Sequence, residues 1–282
     1  MLKLWYKAWR KPGLSCFANN WSGQTAVQLG MDLKIAAAYT SSAQRIRVMS
    51  EAWAEENLYC PCCPSGTIER CPNNREAIDY TCNCCDSAFQ LKSSQSHPAT
   101  RIVDGAFAAM MRAVGKGAAP NLLLLHYDPS RWEVRDLTLI PHFAFTSSCI
   151  EKRRALSGNA RRAGWVGCNI LLCNIPPDVR ITWVENGVAV SSREVRTKFR
   201  SVSSLASIAS TERGWTLDIL KVVRTLGKRD FCLADVYAYV AELQALHPNN
   251  RHIRDKMRQQ LQTLRNLGFV QFLGQGNYRA LK

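Results

Sequence analysis

Two cysteine pairs in the first third of the chain limit what this sequence can fold into more than any other feature. Cys60 and Cys63 form one C-x2-C pair, Cys82 and Cys85 form another, and 18 residues separate the pairs. A zinc ion bound tetrahedrally by four thiolates needs two tight turns brought together, and this spacing is typical of such sites. The sequence therefore predicts a structural Zn²⁺ bound by these four residues.

The other cysteines leave alternatives open. Cys62 and Cys84 sit inside the pairs and could compete as ligands, and Cys71 lies in the intervening loop. Four further cysteines stand alone and are expected to be small buried hydrophobic residues: Cys149, Cys168, Cys173 and Cys232. The first residues lack the apolar stretch of a signal peptide, so we expect a cytoplasmic, reducing environment, where clustered cysteines bind metal more often than they form disulfides.

Composition and charge indicate the kind of partner. Of the 282 residues 46% are hydrophobic and 21% charged, which is typical of a folded protein. The formal net charge of +15 favours a polyanionic partner, of which nucleic acid is the first candidate. The longest aliphatic run, Leu122–Leu125, is far too short to span a membrane, and no basic amphipathic helix with a continuous apolar face is evident. We therefore expect no membrane partner.

The segment 31–200 mixes helical and strand patterns and is predicted to be an α/β domain with a mostly internal sheet. SSAQRIRVMSEAWAEENLY predicts a helix capped by Ser41 or Ser42, and DGAFAAMMRAV predicts another that Asp104 could cap. NLLLLHY is typical of a buried strand, WEVRDLTLI alternates as a strand does, and ITWVENGVAV contains a turn at Asn186-Gly187. Residues 1–30 lack periodicity and are expected to form a flexible extension, unless Met31 is the natural start.

The C-terminal part predicts a second domain. The serine-rich residues 201–210 are expected to be a linker. Residues 211–282 contain three helical patterns, WTLDILKVVRTL, LADVYAYVAELQAL and NNRHIRDKMRQQLQTLRNLG, and then FVQFLGQGNYRAL, which predicts a hairpin turning at Gly274–Gly276. Three helices and a two-stranded hairpin describe a winged helix-turn-helix.

An acid, a glutamine and a lysine surround the second cysteine pair. Residues 77–81 and 88–92 can be two short strands joined by the knuckle Cys82–Cys85, and alternation puts Gln90 and Lys92 on one face. Asp79 on the neighbouring strand can point to the same face, with the Leu91 carbonyl close by. These oxygens suit Mg²⁺, and the lysine can orient or help deprotonate an attacking water.

The spacing from Asp79 to Gln90 and Lys92 resembles the PD-(D/E)xK nuclease motif, with glutamine in place of the usual acid. It occurs together with the zinc pairs and with three further segments: VDGAFAAMM at 103–111, RRAGWVGCNI at 161–170 and RQQLQTLRNLGFVQFLGQGNYRAL at 258–281. In this combination the sequence is similar to the DpnI-type, or Dam-replacing, family of methyl-directed restriction endonucleases. The similarity covers nearly all of residues 31–282.

The resemblance implies a PD-(D/E)xK nuclease-like domain, followed by a winged-helix domain, that cleaves both strands of DNA at GATC when its adenine is N6-methylated. It implies a reader of that mark in each domain, so we expect a monomer. It assigns catalysis to Asp79, Gln90 and Lys92, Mg²⁺ to Asp79, Gln90 and Leu91, and Zn²⁺ to the four paired cysteines. Gln90 departs from the family pattern: it offers an oxygen but one negative charge fewer.

Candidate DNA-contacting residues lie in two places. In EKRRALSGNARRAGW, Arg161 and Arg162 can approach phosphates, and Trp165, between two glycines, can pack on an adenine methyl group or be an ordinary core residue. In the last helix Ile253, Met257, Leu261 and Leu264 mark the buried stripe. Polar residues on the opposite face and on the wing are expected to contact DNA: Arg251, His252, Asp255, Arg258, Gln259, Asn277 and Arg279.

The sequence leaves three functions in competition. The first is a Mg²⁺-dependent, adenine-methylation-dependent endonuclease, favoured because Asp79 and Lys92 are both present. The second is a reader or regulator of methylated DNA whose catalysis is weak or lost through Gln90. The third is a zinc-ribbon protein that binds nucleic acid without specificity.

Overall fold

The computed structural model describes residues 27–72, 77–97 and 100–281. Most of the expected N-terminal extension, residues 1–30, lies outside these ranges. The chain forms two compact units, each assembled from separate segments. The first comprises residues up to 98, 120–140 and 181–200, and the second comprises 99–119, 141–180 and 201–282.

The described residues contain thirteen strands and seven α-helices. The strands are β1 Glu69–Arg70, β2 Tyr80–Thr81, β3 Ala88–Ser94, β4 Arg101–Ala106, β5 Asn121–Asp128, β6 Glu133–Ile140, β7 Ile150–Lys152, β8 Gly167–Leu171, β9 Ile181–Glu185, β10 Val188–Ala189, β11 Asp230–Cys232, β12 Val270–Gly274 and β13 Asn277–Ala280. The helices are α1 Ser42–Asn57, α2 Phe107–Gly115, α3 Ser192–Val202, α4 Ser210–Thr225, α5 Leu233–Tyr237, α6 Val240–Leu246 and α7 Ile253–Asn266. The fold is therefore mixed α/β, as the sequence predicts.

A seven-stranded sheet forms the first unit, in the order β1-β2-β3-β5-β6-β9-β10. Only β3 and β5 run parallel; the other neighbours are antiparallel. The predicted strand Leu122–Leu125 lies at the centre of the sheet, and its four side chains are at most 5% exposed. Met49 and Trp53 of α1 are equally buried, because the apolar stripe of an amphipathic helix must cover a hydrophobic face.

Part of the segment expected to be flexible is paired with this sheet. Val134 donates its backbone N–H to the Leu29 carbonyl, and Met31 donates to the carbonyl of Trp132. The Trp53 indole donates to the Gln28 carbonyl. The expectation of a flexible extension over residues 1–30 stays a prediction, while Leu29 within that segment is held along β6 by a backbone hydrogen bond.

A second sheet, in the order β4-β8-β7, belongs to the second unit, together with α2. Here the predicted helix cap at Asp104 is wrong. Asp104 lies within β4 and pairs with Cys168 of β8, so its backbone is extended, and Ala106 directly precedes α2. The strand pairing outweighs the local preference of an aspartate for the helix N-cap.

The C-terminal part of the second unit is a winged helix-turn-helix. The buried stripe of α7 is the predicted one, with Ile253, Met257, Leu261 and Leu264 all at most 5% exposed. The predicted second helix is divided into α5 and α6, and the wing has a third strand, so that its order is β11-β13-β12. The segment expected to be a linker carries a short 3-10 helix, Ser203–Ser207, and the first residue of α4.

Among the described residues, no α-helix combines the length and the apolar character that crossing a membrane would require.

Candidate functional site

The two cysteine pairs meet at one point of the first unit. The sulfur atoms of Cys60, Cys63, Cys82 and Cys85 all lie within 4.8 Å of one another. The Sγ atoms of Cys60 and Cys85 are 3.6 Å apart, and those of Cys63 and Cys82 are 3.5 Å apart. A Zn–S bond of about 2.3 Å in tetrahedral geometry places neighbouring sulfurs roughly 3.8 Å apart, so the four thiols fit a zinc ion. Within the described part of the chain this is the one cluster of potential metal ligands, and Cys62 is not in it.

The close contacts between these thiols shift their pKa values in different directions. Hydrogen bonding from Cys60 is the main factor that lowers the pKa of Cys82, to about 6, and it also lowers the pKa of Cys85. The pKa of Cys60 itself is raised, chiefly by hydrogen bonding with Cys62. Because the thiolate is the form that binds zinc, a bound ion would replace the thiol protons of these cysteines.

The buried side chain of Arg196 in α3 holds the first cysteine turn in place. Its Nε donates to the Cys60 carbonyl at 3.1 Å, and one terminal nitrogen donates to the Ser65 carbonyl at 2.8 Å. Its guanidinium also lies 4.7 Å from the centre of the Tyr59 ring. The sequence offered no signal for this contact, because Arg196 is 136 positions from Cys60.

The second cysteine pair is the turn of the hairpin formed by β2 and β3. Tyr80 pairs with Phe89 and Thr81 with Ala88, and the Cys82 N–H donates to the Ser87 carbonyl. This is the knuckle that the sequence predicts. One residue before β2, the Asp79 N–H donates to the Phe89 carbonyl at 2.8 Å, so Asp79 also lies against β3.

The Asp79 carboxylate is fixed by the backbone of β3. Its Oδ2 accepts a hydrogen bond of 2.7 Å from the Leu91 N–H. The pKa of Asp79 is raised, first because the carboxyl group is partly desolvated and further because the charge of Glu51 is close. The Leu91 hydrogen bond and the positive charges of Lys92 and Arg47 act in the opposite direction. A carboxylate in this environment gains from a nearby cation.

Glu51 is a second acid of this region, contributed by α1. It is 8% exposed and forms ion pairs with Arg47, at 2.7 Å, and with Arg70. The Tyr80 hydroxyl donates to the Glu51 carbonyl at 2.7 Å, which ties α1 to the hairpin. Sequence reasoning missed Arg47 and Arg70, although Arg47 is one helical turn before Glu51.

Gln90 and Lys92 are half-buried on β3, two residues apart. Residues two positions apart on a strand share a face. Phe89, on the opposite face of β3, is fully buried. The catalytic roles of Asp79, Gln90 and Lys92, and of the Leu91 carbonyl, stay predictions. The structure brings the three side chains to one end of a hairpin that the cysteine cluster closes.

The basic loop belongs to the second unit, between β7 and β8. Trp165 is half-buried, and its ring lies so close to Gly167 that a Cβ there would be 2.7 Å from it. The guanidinium of Arg162 is 4.9 Å from the Trp165 ring, and both Arg161 and Arg162 are exposed. Trp165 is therefore not a fully buried core residue, and its packing requires glycine at position 167.

The recognition-helix candidates are exposed on or just before α7: Arg251, His252, Asp255, Arg258 and Gln259. Asn277 is exposed on the wing. Arg279 differs, because it forms a two-bond ion pair with Asp230 on the neighbouring strand at 2.7 and 2.9 Å. Its charge is thus already partly compensated within the wing.

A winged helix-turn-helix and a basic loop carrying an aromatic residue define a DNA-binding protein. The chain matches the DpnI family, described as the Dam-replacing family, over residues 27–208, and the Dam-replacing HTH domain over residues 211–280. It belongs to the DpnI, Dam-replacing family. The match begins at residue 27, four residues before the boundary at 31 that the sequence suggested, and includes the segment paired with β6.

Proposed function

We propose that this protein is a type II endonuclease that cleaves both strands of DNA at GATC sites whose adenine carries an N6-methyl group. Family membership supports a methyl-directed restriction enzyme. The observation that carries the catalytic assignment is the attachment of Asp79 to β3, with its N–H bonded to the Phe89 carbonyl, its carboxylate bonded to the Leu91 N–H and the charge of Lys92 close by.

The donor set of this site suits Mg²⁺. Asp79 supplies a carboxylate, Gln90 an amide oxygen and Leu91 a carbonyl, and these hard oxygens are the ligands that Mg²⁺ prefers. The pKa of Asp79 is raised, mainly by desolvation and further by the charge of Glu51. A bound cation would stabilise the ionised form of this carboxyl group. When bound, Mg²⁺ supplies a Lewis acid that stabilises the charge developing on the phosphoryl oxygens.

The protein's own residues divide the remaining work. The hydrogen bond from the Leu91 N–H holds the Asp79 carboxylate in one orientation, so this carboxylate needs to move little when a metal ion binds. Lys92 can donate a hydrogen bond that orients the attacking water, and its positive charge favours the phosphodiester substrate. Zn²⁺, bound by the four cysteines, would act structurally by fixing the turn between the two strands.

Recognition rests on charge and on two candidate surfaces of the second unit. The net charge of +15 favours the DNA backbone, and the Trp165 ring offers apolar surface that a methyl group would contact. The exposed side chains of α7 can reach base edges in the major groove. We place the enzyme in the cytoplasm, acting as a monomer on DNA methylated at GATC.

Plasmid cleavage tests this proposal directly. Plasmid DNA with and without adenine methylation at GATC is incubated with the protein in Mg²⁺ or in EDTA. We expect cutting only of methylated plasmid in Mg²⁺, and none with Asp79→Ala, while Asp128→Ala, which removes a half-buried carboxylate at the end of β5 outside the hairpin, still cuts. Wild-type cutting by Asp79→Ala would refute the assignment of the active site.

The neutral side chain of Gln90 favours one alternative, a reader of methylated DNA with weak or no catalysis. Binding of methylated duplex without cleavage at any Mg²⁺ concentration would support that function instead. Binding that ignores methylation would support the third possibility, a zinc protein that binds nucleic acid without specificity.

A further inference from the structure

Two arginines of α7 meet a tyrosine of α5 in the winged helix. Arg254 and Arg258 are four residues apart, so they lie on the same side of the helix, and both are exposed. Their guanidinium carbons lie 5.2 Å and 5.8 Å from the centre of the Tyr237 ring. The Nε of Arg258 also donates a hydrogen bond to the Tyr237 hydroxyl.

Within the described part of the chain neither arginine forms an ion pair with a carboxylate, although the charge of Asp255 acts on Arg258. Among the ion pairs formed between described residues, none includes Arg254 or Arg258, whereas the nearby Lys256 is paired with Glu212 at 2.7 Å. Two like charges four residues apart on a helix normally repel each other. A tyrosine ring offsets that repulsion through cation–π attraction and restricts the rotamers of both side chains.

We propose that Tyr237 is a positioning residue that holds Arg254 and Arg258 as a paired contact for two phosphates of the DNA backbone. This proposal rests on the proposed function only in taking DNA as the ligand. Sequence reasoning expected Arg258 to contact DNA but did not identify Arg254 or Tyr237. The contact carries affinity rather than sequence information, because phosphates are the same at every site.

Arginines held in advance in this way would strengthen binding by reducing the rotamer entropy lost on contact. The contact would also make binding depend on salt. Each phosphate neutralised releases counterions and contributes about 0.9 to the slope of log K against log salt concentration on duplex DNA. Two arginines acting together predict a contribution of about 1.8 to that slope.

The test measures binding of the full-length chain to a fluorescent duplex containing methylated GATC, in EDTA so that no cutting occurs, over a range of salt concentrations. Arg254→Gln with Arg258→Gln should lower the salt slope by about 1.8. Tyr237→Leu should weaken binding about two- to five-fold and lower the slope, while Tyr237→Phe should retain most of the affinity. Tyr239→Leu, a half-buried tyrosine two residues away, is the matched control and should leave the slope unchanged.

Non-additivity distinguishes positioning from a general structural role. If Tyr237 acts through the arginines, Tyr237→Leu should change neither affinity nor slope when Arg254 and Arg258 are already glutamine. An equal loss in both backgrounds would overturn the proposal. An unchanged slope in the double arginine variant would also overturn it, and that result does not depend on whether Tyr237→Leu folds.

The same measurement separates this inference from the proposed function. The preference for methylated over unmethylated duplex should be the same in every variant, since the contact is to phosphate. A wild-type protein without that preference would contradict the proposed function, while the slopes on either duplex would still decide the role of Tyr237.

Discussion

At the scale of single residues, the balance of charge around Asp79 decides how the candidate metal site works. Gln90 contributes no charge, and Glu51, the nearest further acid, is paired with Arg47 and Arg70. The two arginines therefore already offset the charge of Glu51. The candidate metal site therefore has less net negative charge than its two acids, Asp79 and Glu51, would give without the arginines.

Gln90→Glu should restore the missing charge. We expect it to keep or raise cleavage of methylated plasmid, most visibly at low Mg²⁺ concentration, where occupancy of the metal site limits the rate. Cleavage is measured against Mg²⁺ concentration for wild type and Gln90→Glu, with Gln95→Glu on the exposed end of the same segment as the control. A fall in activity would mean that Glu51 already supplies the charge and that the site is adapted to a neutral amide.

The raised pKa of Asp79 predicts how stability depends on pH. Because desolvation and Glu51 raise this pKa in the folded state, the folded protein holds the proton more tightly than the unfolded chain does. The protonated Asp79 carboxyl group contributes its full stabilisation at pH values below its pKa in the unfolded chain. This contribution is lost as the pH rises through its pKa in the folded protein. In EDTA, Asp79→Asn should therefore raise the unfolding temperature at neutral pH, and the gain should shrink as pH falls towards the acid range. Thermal unfolding from pH 4 to 8 measures this, and a lower unfolding temperature at neutral pH would contradict it.

At the scale of elements, the knuckle Cys82–Cys85 connects two functions in one hairpin. Asp79 directly precedes β2, which has only two residues, and a two-stranded hairpin with so few paired residues is marginal by itself. A metal bound at its turn, together with Arg196 at the other cysteine pair, would supply the missing constraint.

Cys82→Ser should remove much of that constraint. We expect loss of bound zinc and a fall in unfolding temperature on the order of 10 °C, because metal loss belongs to the largest single-residue effects. Cys62→Ser, which changes a thiol outside the cluster, should retain zinc and stability. Elemental analysis and thermal unfolding measure both variants, and active purified wild-type protein without zinc would show that the site is not structural zinc.

At the scale of the whole molecule, the second unit joins the winged helix to segments that precede it by more than 30 residues. Arg224 of α4 binds the Asp178 carboxylate through two nitrogens and also donates to the Leu281 carbonyl. Lys221 donates to Asn174 at 2.9 Å, and Ser148 donates to Asp218 at 2.8 Å. The loop that carries Trp165 and the helix α7 therefore belong to one compact unit.

Asp178→Ala tests how strongly this unit is joined. Asp178 is 8% exposed, and its loss leaves the mostly buried Arg224 without a carboxylate, which should cost about 3–5 kcal/mol of unfolding free energy. Asp230→Ala, which breaks the exposed pair with Arg279, is the control and should cost much less, because solvent screens an exposed ion pair. Denaturant unfolding measures both, and equal costs would mean that the Asp178 pair contributes little.

The spacing of residues that are close together in the chain was enough to predict several features of this protein. The cysteine spacing predicted the cluster, the alternation in β3 predicted the hairpin on which Asp79, Gln90 and Lys92 lie, and the apolar stripe of α7 predicted the winged helix. These features depend on neighbours within about twenty residues, whose spacing is read directly along the chain. Asp104 was misassigned because its strand partner, Cys168, is distant in sequence.

The sequence by itself determined the four-cysteine cluster, the buried stripe of α7 and the family to which the chain belongs. Only the tertiary structure decided that Arg196 holds the first cysteine turn, that Glu51 and its two arginines surround Asp79, and that segments 99–119 and 141–180 form one unit with the winged helix. The physical reason is that burial and ion pairing depend on side chains brought together from distant positions, and no local periodicity encodes which distant residues meet.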